Sequence, residues 1–237
     1  MPHMDDHEEQ VLPQVKGVAS ADRLLTVLSA FQRGDDALEL AELAERTGLV
    51  KSTIMRMCVS LQSFGFIERM RDGRYRLGTE IARLGSVYLQ SFALESEVVP
   101  VLQRLVSLSG ETASFYIRRG EQRLCLFRHD SPSPLRMHVR PGDLRPMDKS
   151  SVAQVLRHFE SGAGPAADIK LPIYSNGVTD PHVASMATPV FGAGQQLLGA
   201  LAITGPASRL TAVKAAEVAE HLFDLADNLT KSLGGKH

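Results

Sequence analysis

A chain of 237 residues has room for about two domains, and its 43% hydrophobic content supports a buried core in each. A formal charge of −1 excludes binding to a polyanion by bulk attraction, so any such contact needs a local basic patch. The only cysteines, Cys58 and Cys125, lack the spacing of a zinc site or disulfide framework, and no stretch is long enough to span a bilayer. No metal, cofactor or membrane partner is therefore expected, and the chain reads as cytoplasmic.

Residues 1–16 read as a disordered N-terminal segment, acidic and polar near the start with no apolar targeting core. Ser20 is placed to cap a helix in which Leu24, Val27, Leu28 and Phe31 form one apolar stripe, ending before Gly34. The stretch from Asp35 to Glu45 is acidic and should repel a polyanion. Within it Leu40, Leu43 and Ala44 share one face of a short helix that Thr47-Gly48 ends, because glycine accepts the left-handed conformation of a helix C-terminus. After the turn Gly48-Leu49-Val50, a second helix starts at Lys51-Ser52-Thr53. Its residues Ile54, Met57, Cys58 and Leu61 turn inward at helical spacing, leaving Ser52, Met55 and Arg56 outward. This is the layout of a recognition helix. Its hydroxyls and backbone N–H groups suit phosphate, and Arg56 has the length to reach a phosphate or a guanine edge.

Residues 66–71 and 74–77 alternate polar with apolar around Asp72-Gly73, which predicts a tight hairpin. From Lys51 to Arg76 the six basic residues Lys51, Arg56, Arg69, Arg71, Arg74 and Arg76 face only Glu68 and Asp72, a local charge of plus four. Helix, turn, helix and basic hairpin in this order predict a winged helix-turn-helix over residues 17–78 that reads DNA. Arg56 is expected at a base edge or phosphate, Lys51, Ser52 and Thr53 at phosphates, and Arg71 and Arg74 at the wing contact.

A linker helix is expected over residues 79–94, whose Ile81, Leu84, Val87, Tyr88 and Leu89 make one side too apolar for a solvated spacer. Residues 95–237 then alternate helices and strands. A helix carries Val98, Val101, Leu102, Leu105 and Leu108. Strands follow at 113–117, 124–128 and 135–139, then a helix at 151–160, a hairpin of strands 185–191 and 197–204, and a last helix with Val218, Leu222, Leu225, Leu229 and Leu233. Strands with segregated helices indicate an α+β sensor domain.

The chain resembles the IclR-type bacterial transcriptional regulators through residues 40–49, Lys51-Ser52-Thr53 and residues 72–78, and further on through Ser109-Gly110-Glu111-Thr112, Leu135-Arg136, Pro189-Val190-Phe191 and residues 205–211. The resemblance covers nearly everything from Gly17 onward. It implies a GAF-like antiparallel sheet with flanking helices that binds a small-molecule effector, and a linker helix that pairs with that of a second copy in a homodimer or homotetramer. The implied DNA partner is a near-palindromic double-stranded operator. Carried over residue by residue, the effector site would comprise Leu135, Met137, Gly142, Met147, Asp180, Ser185, Ala187, Ala202 and Thr204, a mixture of apolar walls and hydroxyls. Arg136, His138 and Arg140 nearby favour an organic or aromatic acid. Val50 and Met55 stand where the family favours proline and an aromatic, which should shift operator preference.

Two other classes compete. Cys125 and His129 share a strand face, yet positions four apart on a strand are too distant for a nucleophile and its base, so no catalytic residue is expected. A winged helix repurposed for protein contact, with a degenerate sensor, would retain its activity after neutralisation of Arg56, Arg71 and Arg74.

Overall fold

The computed structural model describes residues 17–91, 94–135, 137, 139–162 and 169–236. The expected disorder of residues 1–16, together with Arg136 and His138, lies outside the described residues. The chain forms two compact units that divide between Val87 and Tyr88.

The first unit opens with α1 (Ala19–Ser29), α2 (Leu40–Thr47) and α3 (Lys51–Ser63). Ser20 does not cap α1. The Asp22 N–H bonds back to the Val18 carbonyl at 3.0 Å, so extended Val18 is the N-cap and Ser20 falls inside the first turn. Val27, Leu43, Ile54, Cys58 and Leu61 meet in one core, with Leu24, Leu28, Phe31 and Met57 packed against it, as helical spacing requires. The acidic stretch has structural work. Glu39 and Glu42 form a reciprocal capping box at the start of α2, and Arg46 near its end holds Asp35 and the Ala30 carbonyl. Gly48 closes α2 at φ 68°, in the left-handed region, and its N–H bonds the Ala44 carbonyl at 2.9 Å.

The wing pairs β1 (Ile67–Arg69) with β2 (Tyr75–Leu77) in the register Glu68 opposite Arg76. Its turn is wider than a two-residue Asp-Gly turn. Met70 N–H bonds the Arg74 carbonyl at 2.8 Å, leaving Arg71, Asp72 and Gly73 in the loop with Gly73 at φ 89°. A double backbone bridge between Leu38 and buried Tyr75 ties the wing to the chain before α2. Gly78 closes the wing, where its N–H bonds the Phe66 carbonyl at 2.7 Å and its α-carbon lies against the Gly65 backbone.

Helix α4 (Thr79–Ser91) carries the chain from one unit to the next. The second unit holds α5 (Leu94–Ser109), β3 (Thr112–Arg119), β4 (Gln122–His129), β5 (Leu144–Pro146), α6 (Ser151–His158), β6 (Ile173–Asn176), β7 (Val183–Phe191), β8 (Leu197–Pro206) and α7 (Ala212–Ser232). Its six strands form one antiparallel sheet in the order β5-β4-β3-β8-β7-β6. Strand alternation divides the core into two layers. Phe115, Met186, Val190, Leu201 and Ile203 face α5 and α7, while Tyr116, Cys125, Ala187, Ala200 and Ala202 face α6.

The strand expected at 135–139 is absent among the described residues. Val139 N–H turns back to the Met137 carbonyl at 3.1 Å between two proline-containing stretches, so no ladder propagates there. The chain pairs instead at β5, and β6 forms a further edge; both are short and lack a readable alternation. Helix α6 stops at His158 rather than Glu160, because Phe159 leaves helical geometry to stack edge-on against Phe191 at 5.6 Å.

Candidate nucleic-acid interface and ligand cavity

No side chain caps α3; the Val50 carbonyl takes the Thr53 N–H at 3.0 Å, and the side chains of Lys51 and Ser52 beside it are exposed. Thr53 is half-buried; Met55, 49% exposed, and Arg56 stand on the same outward face, opposite Ile54, Cys58 and Leu61. The six basic residues are not equivalent. Asp72 accepts from the Arg74 N–H and Nε at 3.0 and 2.8 Å, and Glu68 accepts from Arg76 Nε and Nη2 at 2.9 and 2.6 Å. Both acidic residues of the patch are thus occupied. Lys51, Arg56, Arg69 and Arg71 have no ion-pair partner among the described residues, although the Arg69 guanidinium lies 5.9 Å from the Tyr75 ring centre. The local charge of plus four therefore resides on four identifiable side chains.

In the second unit a cavity of about 180 Å³ opens between the sheet, the N-terminus of α6 and the 178–180 loop. Of the residues expected around an effector, Met137, Asp180, Ser185 and Thr204 line it together. Ala187 and Ala202 face each other across β7 and β8, buried one step beneath α6, and Met147 packs against the same layer. Leu135 is 64% exposed, and neither it nor Gly142 is in the lining. Arg140 is exposed and outside the lining too, so the cavity draws its positive charge from other arginines.

Those arginines are Arg123 and Arg128 on β4 and Arg145 on β5, none of which periodicity singles out. Arg123 donates to both oxygens of Asp148 at 2.8 and 3.2 Å, and Arg128 donates to Asp130 at 2.7 Å and to the Met137 carbonyl at 2.7 Å. Burial pushes the Asp148 carboxyl upward, but bonds from Arg123 and from Ser150 outweigh it and hold the group well below the usual carboxylate range. Ser151, Ser175 and Ser185 form a buried hydroxyl chain, with Oγ–Oγ distances of 2.7 Å from Ser151 to Ser185 and 3.1 Å from Ser175 to Ser185. Burial also raises the Tyr116 phenol, on the cavity wall, well above its ordinary range.

The motifs shared with the family's second half act as scaffold. Arg209 grips both oxygens of buried Glu111 at 2.6 and 2.7 Å and reaches Ser133 Oγ at 2.9 Å and the Leu135 carbonyl at 3.1 Å. Ser131 Oγ donates to the Gly110 carbonyl at 2.6 Å, and the Ser131 backbone N–H donates to Thr112 Oγ1 at 3.1 Å. These bonds fix the loop that leads to Met137.

Residues 20–71 match the IclR helix-turn-helix domain. The HTH-type transcriptional repressor AllR of Salmonella paratyphi A is 25% identical over 250 residues, spanning 93% of this chain and 92% of the relative. Residues 20–71 thus form an IclR-type helix-turn-helix domain, and the chain is similar to IclR-type transcriptional regulators along most of its length. Its function is transcriptional regulation through sequence-specific DNA binding, and the family is one of regulators rather than enzymes. The two-part architecture of this IclR-type regulator recurs in solved structures. An IclR transcriptional regulator from Silicibacter sp. TM1040 superposes with a TM-score of 0.76 at 24% identity, covering 91% of this chain and 96% of that one. An IclR homologue from Microbacterium hydrocarbonoxydans, solved in complex with 4-hydroxybenzoate, gives 0.72 at 17% identity, covering 90% and 100%. Among the described residues no helix is long and apolar enough to cross a membrane.

Proposed function

We propose that this regulator binds a near-palindromic operator as a dimer, or as a tetramer built from dimers, and that a small organic acid in the second unit alters that binding. The observation that carries the DNA half is the coincidence of four unpaired cations with the uncapped start and outward face of α3. Arg56 and Met55 meet base edges in the major groove, Lys51, Ser52 and Thr53 meet phosphates, and Arg69 and Arg71 carry the wing's charge to the flanking backbone. Arg74 and Arg76 shape the wing through Asp72 and Glu68 and reach DNA only secondarily. Residues 17–78 form the reading head, residues 79–94 the linker, and residues 95–237 the sensor. Ile81 and Leu84 on α4, 36% and 41% exposed, supply apolar surface for a second copy. The effector acts by binding two arrangements of the copies unequally, only one of which matches the half-site spacing.

The test is to mix the protein with sheared genomic DNA from its source at physiological salt with nonspecific competitor, then sequence the retained fragments. A few fragments sharing an inverted repeat are expected. Uniform retention would overturn the operator reading, and unchanged affinity for those fragments at saturating acid would overturn the effector reading.

A further inference from the structure

Ser20, which does not cap α1, stands instead on the wall of a cleft between α1 and α3. The other wall carries Thr53 and Ser60, and two arginines flank the opening, Arg23 from α1 and Arg56 from α3. None of the three hydroxyls has a hydrogen-bond partner among the described residues, whereas Thr26 and Ser63 on the same two helices bond back to backbone carbonyls. Leu24 and Met57, the chain neighbours of the two arginines, pack against one core, which fixes the backbone on both sides of the cleft.

The charge of the cleft is of one sign. No carboxylate lines it. Asp22, beside Arg23 in the chain, lies against Gly17 instead, while Asp35 is held by Arg46 and Glu42 accepts the Glu39 N–H. Arg23 is exposed and has no ion-pair partner among the described residues. Like charges held on packed helices with no anion between them repel, and an anion shared by both removes that cost. The cleft, of about 550 Å³, is open rather than enclosed, which suits a segment of a continuous polyanion better than a small molecule. Arg56 belongs both to the cleft and to the outward face of α3, so a duplex docked on that face runs past the opening.

We propose that α1 is a further element of the DNA contact. The cleft seats one operator phosphate per reading head, with Arg23 and Ser20 on one side and Thr53 and Ser60 on the other, while Arg56 continues to the base edge. Guanidinium and hydroxyl groups are the donors that hold a phosphodiester oxygen. The contact lies outside the recognition helix and the wing and reads no base; it sets the register of α3 on the duplex. This site rests on the proposed docking of α3 and adds to it a backbone anchor on the opposite flank.

The experiment is fluorescence anisotropy with the full chain on operator duplexes recovered by the genomic selection, at salt from 50 to 200 mM. Arg23→Gln removes one phosphate contact from each of two heads and should flatten the salt slope by about 2, so its deficit against the parent grows roughly tenfold from 200 down to 50 mM. The loss should be equal on operator and shuffled DNA, and Arg23→Lys should keep most of the slope. Ser20→Ala with Ser60→Ala should weaken binding about fivefold at unchanged slope, because neutral donors release no counterion. Exposed Arg104 lies on α5 of the second unit, and Arg104→Gln, which removes the same charge there, should match the parent. Operators carrying one uncharged methylphosphonate at each position in turn locate the phosphate: at one position per half-site the change should weaken the parent but not Arg23→Gln. A parental slope in Arg23→Gln, an equal flattening in Arg104→Gln, or no such position would overturn the site. Dissociation of the assembly in Arg23→Gln, seen by light scattering, would assign the cleft to a second copy and overturn it too. An Arg71-dependent slope beside a silent Arg23→Gln would leave the docking of α3 standing, whereas no dependence on either would overturn both.

Discussion

Salt dependence offers a direct count of the cations that reach DNA. Composition alone gives six basic residues between Lys51 and Arg76 of each reading head, whereas the structure leaves four of them, Lys51, Arg56, Arg69 and Arg71, without an anionic partner among the described residues. Each phosphate contact contributes about −0.9 to the slope of log affinity against log salt, so two heads with three phosphate contacts each, from Lys51, Arg69 and Arg71, give a slope of about −5 while Arg56 reads a base, apart from the share of Arg23. On these contacts affinity should fall roughly two-thousand-fold between 50 and 200 mM salt. Replacing Arg71 by Gln removes one contact per head and should flatten the slope by about 2. The double variant Glu68→Gln/Arg76→Gln removes an internal pair without changing net charge, and its slope should match that of the parent. Fluorescence anisotropy on a labelled operator at four salt concentrations measures all three. The partition of charge is refuted if the double variant flattens the slope as much as Arg71→Gln does, or if the parent slope approaches that of six contacts per head.

Four further outcomes follow from the geometry. Arg56→Ala should cost about 1–3 kcal/mol on the operator and much less on shuffled DNA if Arg56 reads a base, and an equal loss on both would reduce it to a phosphate contact. In Gly78→Ala the new methyl would run into the Gly65 carbonyl, which should cost about 1–3 kcal/mol in urea unfolding and weaken DNA binding; a parental midpoint would contradict the close approach. Burial pushes the Cys58 and Cys125 thiols up to about 11, so iodoacetamide at pH 8 should label the folded protein more than about a hundredfold slower than the urea-unfolded chain, and fast native labelling would show that either site opens. Asp148 is held below its unfolded value, so its contribution is complete above about pH 4 and is lost as pH falls further. Asp148→Asn should therefore lose about 3 kcal/mol at pH 7. Its deficit against the parent should shrink in unfolding titrations below pH 4, and a deficit independent of pH would mean that the charge is irrelevant.

The reading head was largely legible because its signals are local. Gly48 ends a helix by its own backbone freedom, and Ile54, Cys58 and Leu61 declare a face by spacing within one helix. The cavity was legible only in part, since its parts meet through pairings hundreds of atoms apart along the chain. Ser185 and Thr204 come from the family resemblance, and the pairing of β7 with β8 sets them opposite each other. Arg145 escaped notice in a three-residue strand that ends in proline, and only the register of β5 on β4 brings it beside Arg123. Ser150 reads as an ordinary helix cap until the structure shows that its hydroxyl does not cap. At Leu135–Val139 the apolar alternation suggested a strand, but a ladder needs a neighbour as well as a pattern, and Val139 spends its N–H on Met137.

The sheet of the second unit ends in β5 and β6, strands of three and four residues. Edges this short give an incoming chain little backbone to extend, which denies the molecule the commonest route to runaway association. Copies that meet have helical surfaces available instead, where each contact is a side chain that sequence can tune and solvent can reverse. The proposed assembly, fixed in number and able to rearrange, would gain from that arrangement, because a continuous backbone ladder has no natural stopping point.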